Sequence, residues 1–221
     1  MFFSQQNEDR ILFEKYLNFR DGFFIELGAM DGIQYSNTLF FEKELNWRGV
    51  LIEPTQQYNF LEKNRPLAHN FNLAVSEKEG EIEFLGNGAL GGMIHTMPDW
   101  HKFGWHLDKQ NSYKVKSKPI SKILENLNIE RVDFFSIDVE GGEIEVLKTF
   151  DWSIPVYVIL IEGEYTIPKD ENIRKTKHSR VTDEEWSRID GCTQILLDNG
   201  FQYIEDIGCN QVWINQNNKR K

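Results

Sequence analysis

The sequence has little cysteine, no hydrophobic run as long as a membrane span, and far fewer basic than acidic residues. Cys192 and Cys209 are too few for a disulfide framework and lack metal-site spacing. A formal net charge of −10 disfavours nucleic acid as a partner, because phosphate binding needs a basic face. Charged residues from Glu8 onward come too early for a signal peptide. We therefore expect a cytoplasmic protein with no membrane span, and its oligomeric state stays open.

The sequence also lacks the G-x-G-x-x-G pattern of dinucleotide-binding proteins. Residues 23 to 32 instead read Phe-Phe-Ile-Glu-Leu-Gly-Ala-Met-Asp-Gly, an apolar run followed by a turn with two glycines. This pattern predicts a buried strand and a loop in which Gly28 and Gly32 let a ligand lie against the main chain. Glu26 and Asp31 suit an ammonium better than a pyrophosphate, which favours S-adenosylmethionine (SAM) over NAD and FAD. The alternative is an ordinary turn after a buried strand.

A second acid in a similar position is Glu53, which follows the apolar run Gly49-Val-Leu-Ile52. It comes about 25 residues after Gly28, the spacing at which an acid can accept both hydroxyls of a ribose. The glycine turn and this acid together predict an adenosine-type cofactor bound to a βαβ unit.

Strand-like apolar runs alternate with helical periodicity along most of the chain. Strands are expected near residues 23–27, 49–53, 70–75, 81–85, 113–118, 132–137, 156–161, 201–205 and 211–214. This alternation predicts an α/β fold, a mostly parallel sheet with helices on both faces. The length of 221 residues and the 40% hydrophobic content fit a single domain over residues 1–221.

Periodicity disappears between Gly86 and Ser112, a segment with several glycines, three histidines and two tryptophans. Loops this long are usually functional or disordered. Its glycines and aromatic residues favour a lid or acceptor pocket, in which Trp100 and Trp105 stack on a sugar ring or base and His95 reaches its hydroxyl. The alternative is a surface excursion whose tryptophans pack on the sheet.

Four separate strands of the predicted sheet end in acids, which are Glu26, Glu53, Asp138 and Glu162. The ligand crevice of an open α/β sheet lies outside the carboxyl ends of its strands, so these residues should converge. Clustered carboxylates repel one another unless cations or donors compensate, which makes a purely structural role improbable for the set. After Asp138, Gly141 and Gly142 are expected to admit a ligand close to the backbone.

Several motifs in order resemble the FkbM family of SAM-dependent methyltransferases. They are Phe24-Ile-Glu-Leu-Gly-Ala-Met-Asp-Gly32, Ser36-Asn-Thr38, Trp47-Arg-Gly-Val-Leu-Ile-Glu-Pro54, Asn64-Arg-Pro66 and Phe135-Ser-Ile-Asp-Val-Glu-Gly-Gly-Glu143. The resemblance spans about Ser4 to Trp213. It implies a Rossmann-like class I methyltransferase with seven strands in the order 3-2-1-4-5-7-6, the last strand antiparallel.

The resemblance also implies roles for individual residues. The methionine part of SAM, and of the product S-adenosylhomocysteine (SAH), would lie among Glu26, Gly28, Ala29 and Asp31, with Ser36 near its carboxylate. Glu53 would hold the ribose, residues Asn72, Leu73 and Ala74 would flank the adenine, and Asp138 would face the methyl group and the acceptor.

Methyl transfer to an alcohol also requires that the acceptor lose a proton. A histidine of the 86–112 segment could act as base, with His95 considered first and then His101 or His106. The other route is Mg²⁺ or another divalent cation held by Asp138 with Glu162 or Glu164.

The function implied by the resemblance is O-methylation of a small acceptor, and we favour a sugar or nucleotide-sugar in surface polysaccharide biosynthesis. The basic stretches at residues 114–118 and 174–180 could meet a sugar diphosphate, or they could be solvated surface charges. A polyketide or protein acceptor is the alternative within enzymes, and a non-catalytic SAM-fold binding protein is the alternative outside them.

Overall fold

The structure, a computed structural model, describes residues 1–163 and 182–220. Its strands are β1 (Phe23–Leu27), β2 (Arg48–Ile52), β3 (His69–Phe71), β4 (Ala74–Val75), β5 (Gly80–Leu85), β6 (Gly92–Met93), β7 (Tyr113–Lys118), β8 (Val132–Ile137), β9 (Val156–Glu162), β10 (Gln202–Ile207) and β11 (Asn210–Ile214). Its helices are α1 (Glu8–Lys15), α2 (Leu39–Leu45), α3 (Tyr58–Asn64), α4 (Asp99–Gly104), α5 (Ile120–Leu124), α6 (Glu143–Thr149) and α7 (Asp183–Asp198).

The main sheet has seven strands in the order β3-β2-β1-β8-β9-β11-β10. All neighbouring strands are parallel except β11, which runs antiparallel to both β9 and β10. Counted along the sheet, this is the predicted order 3-2-1-4-5-7-6. The structure therefore confirms the seven-stranded, Rossmann-like fold expected from the sequence.

Alternate residues of the central strands pack into two hydrophobic cores, one on each face of the sheet. In β8, Phe135 and Ile137 join the core formed with α5, α6 and α7, whereas Phe134 joins the core formed with α1, α2 and α3. Both faces are therefore covered, which explains why the central strands read as continuous apolar runs. Ligand access is left to the ends of the strands.

The third predicted strand, near 70–75, divides between two sheets. Residues His69–Phe71 add to the main sheet as β3, but Ala74–Val75 form β4 of a second sheet in the order β4-β7-β5-β6. Asn72 marks the division, because its side-chain amide donates to the Glu53 carbonyl at 2.8 Å and bends the chain. Hydrophobic periodicity alone cannot show a change of sheet within one extended segment.

The 86–112 segment connects two antiparallel strands of the small sheet, β5 and β7. It contains two 3₁₀ turns, Gly88–Leu90 and Lys109–Asn111, together with β6 and α4. These elements are too short for sequence periodicity to reveal.

Two further expectations concern cysteines and the membrane. Cys192 and Cys209 are both free. Across the described residues, we find no helix that combines the length and the apolar character needed to cross a bilayer.

Candidate active site

A cavity of about 460 Å³ opens at the carboxyl ends of β1, β2, β8 and β9. Glu26, Glu53, Asp138 and Glu162 all line it. The structure thus brings together the four acids that the sequence places at separate strand ends. The volume lies within the usual range of small-molecule and cofactor sites.

The glycine turn after β1 serves protein packing more than ligand approach. Gly28 has φ of +75°, and a Cβ there would lie 2.1 Å from the Asp138 carbonyl oxygen. A Cβ on Gly32 would lie 2.6 Å from side-chain carbons of Leu61 and Arg65. Gly28 and Ala29 line the cavity but Gly32 does not, so the expected ligand contact at Gly32 is corrected to a packing role.

Glu26 is held almost entirely by the loop that precedes α2. Its carboxylate accepts hydrogen bonds from the Asn37 backbone N–H at 2.7 Å, from the Ser36 hydroxyl at 3.0 Å and from the Thr38 hydroxyl. The guanidinium of Arg65 lies 3.9 Å away. Burial raises the pKa of Glu26, while these donors and the Arg65 charge oppose that rise. Glu26 and Ser36 therefore shape one end of the cavity and hold each other in place.

Glu53 presents a carboxylate that keeps acceptor capacity for a ligand. One oxygen accepts from the Met30 backbone N–H at 2.9 Å and the other from the Thr55 backbone N–H at 2.7 Å. The Thr55 hydroxyl also donates to this carboxylate, and two carboxylate oxygens together can accept about four hydrogen bonds, so acceptor capacity is left for a ligand. Burial raises the pKa of Glu53. Hydroxyl donors such as those of a ribose would compensate this desolvation.

The cavity wall beyond Glu53 is apolar. It consists of Leu73 and Ala74, which were predicted to flank the adenine, and of Val75 and Phe84. Asn72, predicted with them, does not line the cavity because its amide is engaged with the Glu53 carbonyl. The Asn72 side chain thus supports the loop after β2 in this structure.

Three carboxylates cluster at the floor of the cavity, where β8 and β9 end. One oxygen from each of Asp138, Glu140 and Glu162 lies within 4.8 Å of the others. Surrounding protein atoms and the Glu143 charge raise the pKa of Asp138 to about 7, and burial beside Asp138 raises that of Glu162. Such a cluster can hold a proton or a divalent cation. Glu164, predicted as a third ligand, lies outside the described residues, as does the basic stretch 174–180.

Two predicted site residues lie outside the cavity. Asp31 accepts from the backbone N–H groups of Ile33 and Gln34, both at 2.8 Å, and stabilises the turn after β1. His95 is half exposed, and its Nε2 lies 2.7 Å from a carboxylate oxygen of Glu145 on α6. Neither is among the residues that line the cavity.

His101, which the sequence ranks after His95, is the histidine that lines the cavity. It is 2% exposed, and its Nδ1 lies 3.1 Å from a carboxylate oxygen of Glu140. Burial lowers the pKa of His101, which favours the neutral imidazole that can accept a proton. Its position on α4 brings the 86–112 segment to the carboxylate cluster.

The 86–112 segment is docked against the loop after β8. Gly141 and Gly142 admit it, since a Cβ on Gly141 would lie 2.6 Å from the Thr96 carbonyl oxygen and one on Gly142 would lie 2.8 Å from the Met93 methyl carbon. These glycines were expected to admit a ligand, and they admit protein instead. Residues 88–91, Met93, His101 and Trp105 of the segment line the cavity.

A second cavity, of about 110 Å³, lies on the other side of Glu140 and Glu162, between the end of β9 and α7. Both acids line both cavities, so the two spaces meet at the carboxylate cluster. Trp100 and Trp213 give the second cavity aromatic walls, and Arg188 adds a cation. We call it the side cavity.

The cavity residues that the sequence analysis missed include Gln5, Gln6, Glu140 and Cys209. Glu140 had a signal, because it follows Asp138 by two residues at the same strand end. The other three had none. Gln5 and Gln6 precede the first helix, and Cys209 lies in the turn between β10 and β11, far along the chain from the cofactor motifs.

Comparisons with known proteins give one family and a set of shared folds. The sequence profile described as the methyltransferase FkbM domain matches residues 26–203. The crystal structure of the methyltransferase FkbM from Methylobacillus flagellatus KT has 15% identity and a TM-score of 0.50, over 88% of this chain and 43% of that protein. This chain thus spans less than half the length of that protein. None of the curated proteins compared with the chain matches it.

Two other solved structures show lower similarity. The precorrin-6y C5,15-methyltransferase of Geobacter metallireducens GS-15 has 13% identity and a TM-score of 0.44, over 89% of this chain and 71% of that one. TrmK of M. capricolum, solved with its cofactor product SAH, has 9% identity and a TM-score of 0.42, over 96% of this chain and 69% of that one.

Proposed function

Because this chain belongs to the FkbM family and is a SAM-dependent methyltransferase, we propose that it methylates a hydroxyl of a sugar or nucleotide-sugar acceptor. The adenine of SAM would lie on Leu73 and Ala74, and the ribose on Glu53. The acidic cavity suits the ammonium and sulfonium charges of the cofactor, and the apolar wall suits its base. These residues fit SAM, and Asp138 would then face the methyl group.

The observation that carries the choice of a hydroxyl acceptor is the carboxylate cluster beside His101. Bound SAM supplies a methyl group on its sulfonium, and SAH leaves as a neutral thioether. The protein must therefore mainly align the acceptor and remove its proton. Asp138, with a pKa raised to about 7, can exchange a proton near neutral pH. His101 adds a neutral imidazole next to Glu140.

Two routes for the acceptor proton follow from this arrangement. In the first, His101 or the Asp138–Glu162 pair takes the proton, with Glu140 orienting the imidazole. In the second, Asp138, Glu140 and Glu162 would hold a divalent cation, which would supply a Lewis acid for the acceptor hydroxyl. Chelator treatment separates them, because activity that survives chelation and is insensitive to added Mg²⁺ or Mn²⁺ supports the first route.

The side cavity supports a sugar-based acceptor. It meets the cofactor cavity at Glu140 and Glu162, its aromatic walls suit the apolar face of a sugar ring, and the acids could accept hydrogen bonds from hydroxyls. Arg188 gives this space a positive charge, which would favour the phosphates of a nucleotide-sugar.

The test is a transfer assay with methyl-labelled SAM and three acceptor panels, namely nucleotide-sugars, polyketide alcohols and peptides. We expect label in the sugar panel, recovered in an ether linkage by mass spectrometry. Label only in the polyketide or peptide panel would replace the sugar proposal, and SAM binding without transfer to any panel would favour a non-catalytic relative. Arg188→Ala should raise the KM for a phosphorylated acceptor more than for the free sugar.

A cytoplasmic location and a place in surface polysaccharide biosynthesis belong to the same proposal. The two free cysteines are compatible with a reducing compartment. Co-fractionation of the protein with cytoplasmic markers, and loss of O-methyl groups from the polysaccharide when the gene is deleted, are the corresponding measurements.

A further inference from the structure

One wall of the cofactor cavity comes from residues 4–7, which precede the part of the chain that matches the family profile. We call these residues the N-terminal segment. The side chains of Gln5 and Gln6 line the cavity, between Tyr35 on one side and Cys209 on the other. The segment therefore spans from the end of the cavity that Glu26 and Ser36 line toward the carboxylate cluster.

Two buried acids of α1 hold the N-terminal segment in place. Asp9 accepts from the Phe3 backbone N–H and from the Ser4 hydroxyl, both at 2.7 Å. Glu8 accepts from the Gln6 backbone N–H at 2.7 Å and from the Asn210 amide at 2.9 Å. Because burial of acids is costly unless donors satisfy them, this arrangement specifies the position of the segment.

The segment is also fitted against its neighbours on both sides. Ser4 forms a parallel bridge with Tyr35, whose φ of +59° is uncommon for a bulky residue. The Gln6 side chain packs on the turn between β10 and β11, where a Cβ on Gly208 would lie 1.1 Å from Gln6 Oε1. Position 208 must therefore be glycine for Gln6 to lie where it does.

The charges of the cavity restrict how it can bind the amino-acid end of SAM. Five acids line it, and its described lining contains no lysine or arginine. The ammonium of the cofactor suits this surface, but its carboxylate needs neutral donors. Ser36 Oγ already donates to Glu26, and the Asn37 amide donates to Ser136. Side-chain amides along this wall are those of Gln5, Gln6 and Gln34. The Gln6 amide donates one N–H to Cys209 Sγ at 3.7 Å, which leaves its second N–H for a ligand.

We propose that Gln5 and Gln6 donate hydrogen bonds to the carboxylate of the amino-acid end of SAM and SAH. The N-terminal segment is then part of the cofactor site, and it distinguishes cofactors that carry the amino-acid chain from those that lack it. Glu8 and Asp9 are positioning residues in this arrangement, since they act through the backbone of the segment.

The experiment compares SAH with 5′-methylthioadenosine, which keeps the adenosine and the sulfur but lacks the amino-acid end. Isothermal titration calorimetry on the full chain should show that Gln5→Ala and Gln6→Ala each weaken SAH binding about tenfold, as expected for a hydrogen bond to a charged group. Binding of methylthioadenosine should not change. Gln202→Ala, an exposed glutamine on β10 outside the cavity, is the matched control and should leave both affinities unchanged.

Each other result contradicts the proposal. Equal weakening of both ligands would mean that the segment only supports the cavity. Unchanged SAH binding in the double variant, with a loss only in Gln34→Ala, would assign the carboxylate to Gln34. Unchanged SAH binding with a raised KM for the acceptor would assign the two amides to the acceptor. Thermal unfolding of each variant checks that the fold is retained.

A second variant tests the geometry from the opposite side of the segment. Gly208→Ala places a methyl group where Gln6 Oε1 lies, without changing any residue of the cofactor loops. We expect it to weaken SAH about tenfold and to leave methylthioadenosine unaffected. Full SAH affinity in this variant would contradict the assignment of Gln6.

Discussion

Asp133 and Asp138 lie near the two ends of β8 and differ in what surrounds them. Asp133, at the amino end, is fully buried. It accepts from the Phe23 backbone N–H at 2.9 Å, from Arg131 at 2.8 Å and from Arg220 at 3.1 Å. Both of its oxygens and its charge are thus satisfied by the protein itself.

Asp138, just after the carboxyl end of the same strand, has acids as its near neighbours. Glu140 and Glu162 lie with it in one cluster, and Glu143 adds further negative charge. Among the described residues, neither Asp138 nor Glu162 forms an ion pair with a lysine or an arginine. The pKa of Asp138 is raised to about 7.

The comparison separates a structural acid from a functional one. Counter-charges compensate the burial of Asp133, whereas an acid among acids destabilises the fold, an arrangement that is typical of residues acting on a ligand. Sequence position places only Asp138 at the carboxyl end of the strand, where the ligand crevice of a parallel sheet lies. The surroundings of the two acids, which the sequence does not give, show which of them is compensated.

The largest expected effect is on turnover. Asp138→Asn should lower kcat at least about a hundredfold, because the group that we propose to face the methyl and the acceptor loses its ability to exchange a proton. SAH binding should be retained. Asp133→Asn should leave kcat per folded molecule unchanged. Full activity of Asp138→Asn on the true acceptor would contradict the comparison.

The next largest effect is on folding stability and comes from Asp133, at the amino end of β8. Asp133→Asn should lower the free energy of unfolding by roughly 2 to 4 kcal/mol, because it leaves Arg131 and Arg220 without their buried partner. This loss of stability is smaller than that for a fully buried ion pair, because both arginines are partly exposed. Urea denaturation measures it, with Asp198→Asn on α7 as a control that should change stability little.

The ribose assignment gives an effect on binding. Glu53→Ala removes a carboxylate that can accept from two hydroxyls, and it should weaken SAH binding by roughly 1.5 to 3 kcal/mol. Calorimetry with SAH and with 2′-deoxyadenosine analogues checks it, because the variant should no longer distinguish the two. An unchanged SAH affinity would remove Glu53 from the cofactor site.

The smallest effect is a pH dependence of folding stability, caused by Asp138 at the carboxyl end of β8. The pKa of Asp138 is raised in the folded protein, so the folded state binds its proton more tightly than the unfolded state. The resulting stability is present below the usual pKa near 3.8 and is lost as the pH rises toward 7. Asp138→Asn has no carboxyl group that ionises in this range. It should therefore be more stable than the unmodified protein at pH 8, by roughly 1 kcal/mol after solvent screening.

This difference should shrink as the pH falls from 7 to 4. Thermal unfolding across that range, with a chelator present, provides the measurement. A constant difference at all pH values would show that Asp138 does not titrate in this range.

Much of the fold could be predicted from the sequence. Alternating apolar runs and helical periodicity predict an α/β sheet with helices on both faces, because each pattern reports which side of an element is buried. The resemblance supplied the strand order, which β11 and its antiparallel neighbours confirm. The convergence of the strand-end acids follows from the topology of a parallel sheet.

The parts that sequence could not supply depend on where distant segments meet. His95 and His101 lie six residues apart in a segment without periodicity, and only its docking on the loop after β8 decides that His101 faces the cavity. The same holds for Gly141 and Gly142, whose neighbours proved to be protein. A local pattern records a residue's chemistry and burial but not its partner across the chain.

The sequence by itself determined the strands, the acids at their ends and an adenosine-type cofactor, because these depend on periodicity and on residues close together in the chain. Only the tertiary structure decided that Glu140 completes the carboxylate cluster and that the N-terminal segment closes the cavity. Gln6 meets Gly208 across about 200 residues of chain, a contact made by the closure of the sheet against α1 and encoded in no local pattern.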